Sequence, residues 1–234
     1  MGYKIILADI DNTLLDFDKG SAAGVQNVMH YYGVPYDHSC LAKYLALNDS
    51  LWKRYEKGEI EKHVIFETRF SAFMAMFGVE ADALFANGLY VEGLKSRVFY
   101  KPNCMEFLEA VKGKYKLYAL TNGVADTQHV RLGKSGLLPY FDGVFISEEM
   151  GCKKPEKEFF DKVFAAIGPV EKKDCIMLGD SLTSDMLGGR NAGVATCYIG
   201  DTDPQSELCD YVIHDLMAFL PILEGSCESK TTIH

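Results

Sequence analysis

The sequence predicts an α/β protein, a doubly wound parallel sheet with an all-helical segment inserted after its first strand. Short segments that are almost continuously apolar recur along the chain, which is how strands covered on both faces read. From Lys116 onward these segments alternate with stretches of helical period, the mark of βαβ units. About a hundred residues separate the first such strand from the second, where a whole βαβ unit takes roughly thirty.

The first strand is read at Tyr3–Asp9. After it Val25, Val28, Met29 and Tyr32 recur at i, i+3, i+4 and i+7, as do Phe66, Arg69/Phe70, Phe73 and Phe77 with their neighbours. Gly33-Val34-Pro35, Gly58 and Gly78 punctuate turns between these helices. The simplest organisation is a core of residues 1–16 and 97–234 and a helical cap of residues 17–96, with hinges near Phe17–Gly20 and Gly93–Pro102. A helix near Cys104–Val111 follows Pro102 and belongs to the core. Strands then follow at Lys116–Thr121, Gly143–Ser147, Cys175–Gly179, Ala195–Ile199 and Tyr211–Ile213. Helices alternate with them at Thr127–Ser135, Glu156–Ile167 and Asp185–Ala192. The polar tail at 225–234 is expected to fray.

Composition narrows the function. The 234 residues include 33 acidic and 24 basic side chains, a net charge of −9, and 48% are hydrophobic, which excludes a disordered chain. The acidic balance and the lack of a basic stripe argue against nucleic acid as partner. No stretch approaches the ~20 apolar residues of a membrane span; the longest, Leu216–Leu223, is broken by Pro221. Asp9 and Asp11 stand where a signal peptide would carry small residues, so a cytoplasmic protein is expected. The seven cysteines show no C-x-x-C pair, and Cys175 and Cys197 read as reduced thiols in buried strands. Asn48-Asp49-Ser50 matches a glycosylation sequon by chance.

Four clusters follow strand ends, where open α/β sheets bind ligands. The first is Asp9-Ile10-Asp11-Asn12-Thr13, whose two carboxylates lie two residues apart on one side of a strand tip. Their repulsion would be relieved by a metal ion or a shared proton. Thr121-Asn122-Gly123 offers a hydroxyl and backbone N–H groups for an oxyanion. Lys154-Pro155 places an ammonium at a loop-to-helix junction, and Gly179-Asp180-Ser181-Leu182-Thr183-Ser184-Asp185 adds two carboxylates. Hard oxygen ligands in this number suit Mg²⁺. Together the parts match the needs of phosphoryl transfer to or from a small phosphorylated metabolite.

In these four motifs, in this order, the sequence resembles the phosphatases of the haloacid dehalogenase superfamily. The insertion falls where that family places its helical, type C1 cap. The resemblance implies that Asp9 attacks phosphorus and forms an aspartyl-phosphate. It implies that Asp11 protonates the leaving oxygen and then activates water. Asp9, Asp180 and the backbone carbonyl of Asp11 would bind Mg²⁺, with Asp185 supporting the metal through water or by orienting Lys154. Thr121, Asn122 and Lys154 would hold the phosphate. A finer resemblance, through Ile146-Ser147-Glu148-Glu149, Gly179–Asp185 and residues 188–197, is to a bacterial subgroup of pyrimidine nucleoside 5′-monophosphate phosphatases. The runner-up is a phosphatase or phosphomutase for a sugar phosphate or phosphoglycolate.

Other classes fit less well. A non-enzymatic aspartyl-phosphate switch carries its acceptor on a later strand than its acidic pair and has no such insertion. Carbon–halogen hydrolysis needs neither Asp11 nor Asp180. Trp52, Tyr55, Phe66, Arg69 and Phe70 could face a substrate base, but at helical spacing they read first as bundle core. His129 and Arg131, on the helix after Thr121, are expected on its solvated side.

Overall fold

The structure is a computed structural model that describes residues 2–226 and the backbone of a short strand at 231–233. Two compact units divide the chain, residues 1–16 with 100–234, and residues 17–99.

The first unit is built on seven parallel strands: β1 (Ile5–Ala8), β2 (Lys116–Thr121), β3 (Gly143–Ile146), β4 (Cys175–Gly179), β5 (Ala195–Ile199), β6 (Tyr211–Ile213) and β7 (Thr231–Ile233). Their order across the sheet is β3-β2-β1-β4-β5-β6-β7, all pairs parallel. The chain thus winds outward from β1 through β2 to β3, then returns to the other side of β1 at β4. All four residues of β1 are buried, which is what a central strand covered on both faces requires. Ile5 and Leu7 join Phe159, Phe160, Val163, Cys175 and Met177 in one apolar layer. Ile6 and Ala8, also fully buried, turn to the opposite face. Because Ala8 registers with Ala119 and Leu178, the chain leaves β1, β2 and β4 side by side at their carboxyl ends. The reversal of winding between β1 and β4 makes that edge the switch point, where such sheets bind ligands.

The second unit is four helices, α1 (Phe17–Tyr31), α2 (His38–Glu56), α3 (Lys62–Ala75) and α4 (Ala83–Ser96). Their core gathers Val25, Val28, Met29, Tyr44, Phe70, Phe73 and Tyr90. The helices of the first unit include α5 (Cys104–Val111), α6 (Ala125–Ser135), α7 (Ser147–Met150), α8 (Lys157–Ile167), α9 (Leu187–Ala192) and α10 (Leu220–Leu223).

Phe17–Gly20 is the first turn of α1 and Gly93 lies inside α4, while the units divide between residues 16 and 17 and between 99 and 100, beside the first of the two stretches expected as hinges and within the second. Gly93 is needed for closeness: a Cβ there would stand 2.5 Å from the Cα of Gly24, so α1 and α4 cross with their backbones touching. Residues 231–233 of the tail pair with β6 as a seventh strand rather than fraying. Arg131 is 2% exposed, so it is buried rather than solvated. His129 does lie on the wet side of α6, paired with Glu149 at 2.6 Å.

Candidate active site

The site is assembled where β1, β2 and β4 end. Asp9 follows β1 directly, and its N–H is held by the Leu178 carbonyl at 2.9 Å. Beyond it the chain must turn sharply. Asn12 adopts a left-handed φ of 61°, a conformation asparagine tolerates better than most residues, and its N–H donates to Leu15 at 2.7 Å. Thr13, fully buried, donates its hydroxyl to Asp180 Oδ1 at 3.3 Å and so ties the first cluster to the fourth.

Lys154 lies at the centre. It is 1% exposed, and its three ammonium hydrogens go to Asp9 Oδ1 at 2.6 Å, Asp185 Oδ1 at 2.7 Å and the Leu120 carbonyl at 2.7 Å. Asn122 fixes its backbone from both sides: the side-chain oxygen accepts from the Lys154 N–H at 3.0 Å, and the side-chain nitrogen donates to the Lys154 carbonyl at 2.8 Å. The tip of β2 therefore aims a lysine that sits thirty-two residues further along.

The fourth cluster begins as β4 ends. Residues Leu182–Met186 form one π-helical turn, capped by Ser181, whose hydroxyl accepts from the Ser184 N–H at 3.1 Å. Such widened turns occur most often at functional sites. This one swings Asp185 back toward the strand end, where its second oxygen accepts from the Ser181 N–H at 3.1 Å. Gly179 makes the room, since a Cβ there would lie 2.3 Å from Asp185 Oδ2.

Electrostatics follow from this crowding. Oxygens of Asp9, Asp180 and Asp185 all lie within 4.8 Å of one another. Burial pushes the Asp9 carboxyl up to about 7; Lys154 opposes the rise, while Asp185 and Asp11 add to it. Removal from bulk water, then the charges of Asp9 and Asp185, hold Asp180 well above the ordinary carboxyl range. Burial alone would lower the Lys154 ammonium, but Asp185 and Asp9 override it and raise it. With all three ionised, the carboxylates facing one ammonium would leave an excess of two negative charges, which a divalent ion would balance. All the donors are hard oxygens, so the set fits Mg²⁺.

The structure brings Asp9, Lys154, Asp180, Asp185 and Asn122 together. Thr121 and Asp11 lie beside them but are joined through a residue that sequence reasoning missed. Gln128 on α6 donates from Nε2 to Asp11 Oδ2 at 2.7 Å and to Thr121 Oγ1 at 2.9 Å. Arg131, one turn on, donates from Nη1 to Asp11 Oδ1 at 2.5 Å. The buried residues of α6 are Thr127, Gln128, Arg131, Leu132 and Ser135, a helical stripe. Polar side chains on the same stripe as Leu132 were the available signal. The helical unit places Arg69, Tyr55 and Phe70 in its interior and leaves Trp52 and Phe66 partly buried.

A family model, that of the haloacid dehalogenase-like hydrolases, matches residues 3–193. The HAD-hydrolase YfnB of Bacillus subtilis is 34% identical over 197 residues, 84% of each chain. Pyrimidine 5′-nucleotidase PynA of Streptococcus pneumoniae is 37% identical over 199 residues, 85% of this chain and 84% of that one. Pyrimidine 5′-nucleotidase YjjG of Escherichia coli is 35% identical over 199 residues, covering 85% and 87%. A crystal structure of YfnB bound to magnesium superposes with a TM-score of 0.89 at 33% identity, over 95% of this chain and 99% of that one. With that match over most of its length and those relatives, the chain belongs to the haloacid dehalogenase-like hydrolases.

Proposed function

We propose that this hydrolase releases phosphate from pyrimidine nucleoside 5′-monophosphates through an aspartyl-phosphate on Asp9. The observation that carries the reading is the buried Lys154 ammonium shared by Asp9 and Asp185 at the ends of β1 and β4, with Asp180 beside them. The relatives named as pyrimidine 5′-nucleotidases support the choice of substrate. Asp9, Asp180, the Asp11 carbonyl and, through water or Lys154, Asp185 would hold Mg²⁺. When bound, the ion would neutralise the excess charge of the site and of the phosphate.

The chain's own residues account for the steps. A carboxylate oxygen of Asp9 forms a bond to phosphorus as the ester P–O bond breaks. Asp11, protonated, gives its proton to the departing 5′-oxygen. A water then attacks phosphorus, passes a proton to Asp11, and the bond to Asp9 breaks to release phosphate. Thr121 and the Asn122 N–H hold phosphoryl oxygens, and Lys154 keeps Asp9 placed and offsets charge on the transferring group. The helical unit at 17–99 serves as a cap that opens for substrate and closes to exclude water. Its position in the chain supports this role, as does the interdomain movement described for YfnB. A cytoplasmic setting fits the six described cysteines, all buried and free.

The test is phosphate release, with Mg²⁺ and with EDTA, across nucleoside monophosphates, sugar phosphates and phosphoglycolate, with Asp9→Asn alongside. Metal-dependent release favouring UMP, dUMP or dTMP, absent in the variant, is the expected result. Release confined to sugar phosphates would replace the nucleotidase reading with the alternative phosphatase. Full activity in Asp9→Asn would overturn the nucleophile.

A further inference from the structure

Gln128 and Arg131 lie outside the four strand-end clusters, yet both are drawn into the site at 1% and 2% exposure. A glutamine and an arginine removed from water must be matched by partners, and their partners here are two residues with proposed chemical duties. The Gln128 amide has two hydrogens on Nε2. One goes to Asp11 Oδ2 at 2.7 Å and the other to Thr121 Oγ1 at 2.9 Å. Thr121 Oγ1 accepts a second bond from the Gly123 N–H at 3.0 Å. With both lone pairs engaged, the hydroxyl hydrogen is what Thr121 has left to offer a phosphoryl oxygen.

Arg131 holds the other side of Asp11. Its Nη1 donates to Asp11 Oδ1 at 2.5 Å and also approaches the Gln128 carbonyl oxygen at 3.4 Å. The Asp11 carboxyl is thus gripped at both oxygens, each of which keeps a second lone pair for the proton it transfers. The neighbouring backbone is fitted to this arrangement. A Cβ at Gly123 would stand 2.3 Å from Gln128 Nε2, so only a glycine leaves the space that the amide occupies.

We infer that Gln128 and Arg131 are positioning residues for the phosphoryl transfer. They act through Asp11 and Thr121 rather than on the substrate. Arg131 with Gln128 sets the plane of the Asp11 carboxyl, and Gln128 together with the Gly123 N–H leaves the Thr121 hydroxyl as a donor. The inference rests on the proposed role of Asp11 as acid and base, so the experiment must separate the two.

Single-turnover release of the leaving group, with holoenzyme in excess over substrate and Mg²⁺ present, does so. The alkoxide of dUMP needs a proton as it departs, whereas p-nitrophenolate from p-nitrophenyl phosphate does not. Arg131→Ala should slow release from dUMP on the order of 10²-fold, with p-nitrophenolate release slowed less than about fivefold and KM for dUMP little changed. Arg131→Lys, which restores a cation, should recover about tenfold on dUMP. Gln128→Ala should both slow release and raise KM, because it also frees Thr121.

Asp11→Asn is the control and must show the same selectivity for the better leaving group. If Asp11→Asn shows it and the Arg131 variants lose both substrates equally, or neither, the positioning role is wrong. If Asp11→Asn itself does not discriminate, the acid role of Asp11 is wrong. Should Arg131→Ala fail to fold, the ratio between the two substrates in Arg131→Lys and Arg131→Gln decides between the same outcomes.

Discussion

Arg69 in the helical unit and Lys154 in the α/β unit are buried in opposite ways. Arg69, 4% exposed in the helical unit, donates to the neutral amide oxygens of Asn48 and Asn87 and lies over the rings of Tyr90 at 4.6 Å and Phe70 at 5.3 Å. Lys154 in the α/β unit is surrounded by the carboxylates of Asp9 and Asp185. The first arrangement balances a desolvated charge with dipoles and ring faces, the least demanding way to seat a cation in a core. The second overshoots, leaving more negative charge than the lysine can offset. An excess of that kind has no packing rationale and makes sense where another cation and a reacting group are to be held. On the proposed function, the difference separates a cation that completes a core from one that organises chemistry.

The largest effect should come from removing each cation in turn. Lys154→Met leaves two buried carboxylates facing each other and should cost about 3–5 kcal/mol in urea unfolding of the metal-free protein. Arg69→Met leaves only two amide oxygens and should cost about 1–3 kcal/mol. Lys154→Met should also abolish phosphate release, while Arg69→Met molecules that fold should retain it. Equal stability losses in the two variants would erase the distinction.

A test of similar size concerns packing. Gly93→Ala would set a Cβ 2.5 Å from the Gly24 backbone, forcing α1 and α4 apart. Such overpacking should cost about 1–3 kcal/mol. The loss should fall on the helical unit, read as faster amide exchange across α1 and α4 than across β1 and β4. Uniform loss of protection would show that the two units unfold as one.

The charge excess also predicts a pH dependence peculiar to the α/β unit. Asp9 and Asp180 bind protons more tightly when folded, because their folded values lie above the ordinary 3.8. Where the folded state holds more protons than the unfolded one, stability falls as pH rises. In EDTA the contribution of these two carboxyls to the urea midpoint should therefore be fullest below the ordinary 3.8 and be lost as pH rises toward 7, the window set by Asp9 at about 7. Mg²⁺ should reverse the decline, since its carboxylate ligands bind it ionised. A metal-free midpoint that climbs steadily from pH 5 to pH 7 would contradict the raised carboxyls.

How much of this the sequence showed depended on whether a signal was local. The first six strands were legible because each is an almost continuously apolar run, and the four clusters because Asp, Thr, Lys and paired Asp follow strand ends in order. The Asn122–Lys154 pairing and the π turn that returns Asp185 are long-range geometry with no local mark. Arg131 was misplaced because an arginine beside a histidine reads as surface until the phase of α6 is anchored on Leu132. Gly93 opens the stretch read as a hinge, but glycine signals flexibility and close helix crossing alike, and only the partner at Gly24 tells them apart. The strand at 231–233 is no shorter than β6 but reads Thr-Thr-Ile against Tyr-Val-Ile, so it does not stand out from a polar tail.

The smallest effect sharpens the comparison at single atoms. Asp82 caps α4, its carboxylate accepting from the Phe85 N–H at 2.9 Å. That task needs an oxygen acceptor in the right place, which asparagine also supplies. Asp82→Ala should therefore cost about 1 kcal/mol, whereas Asp82→Asn should cost almost nothing and leave phosphate release unchanged. Asp185→Asn makes the same chemical change in the α/β unit, where one oxygen must accept from a buried ammonium and the other from the Ser181 N–H. An amide can supply only one acceptor to those two donors. Release should then fall steeply even where the variant folds, as measured by turnover per folded molecule. If both asparagine variants behaved alike, the carboxylates of the two units would be doing the same kind of job.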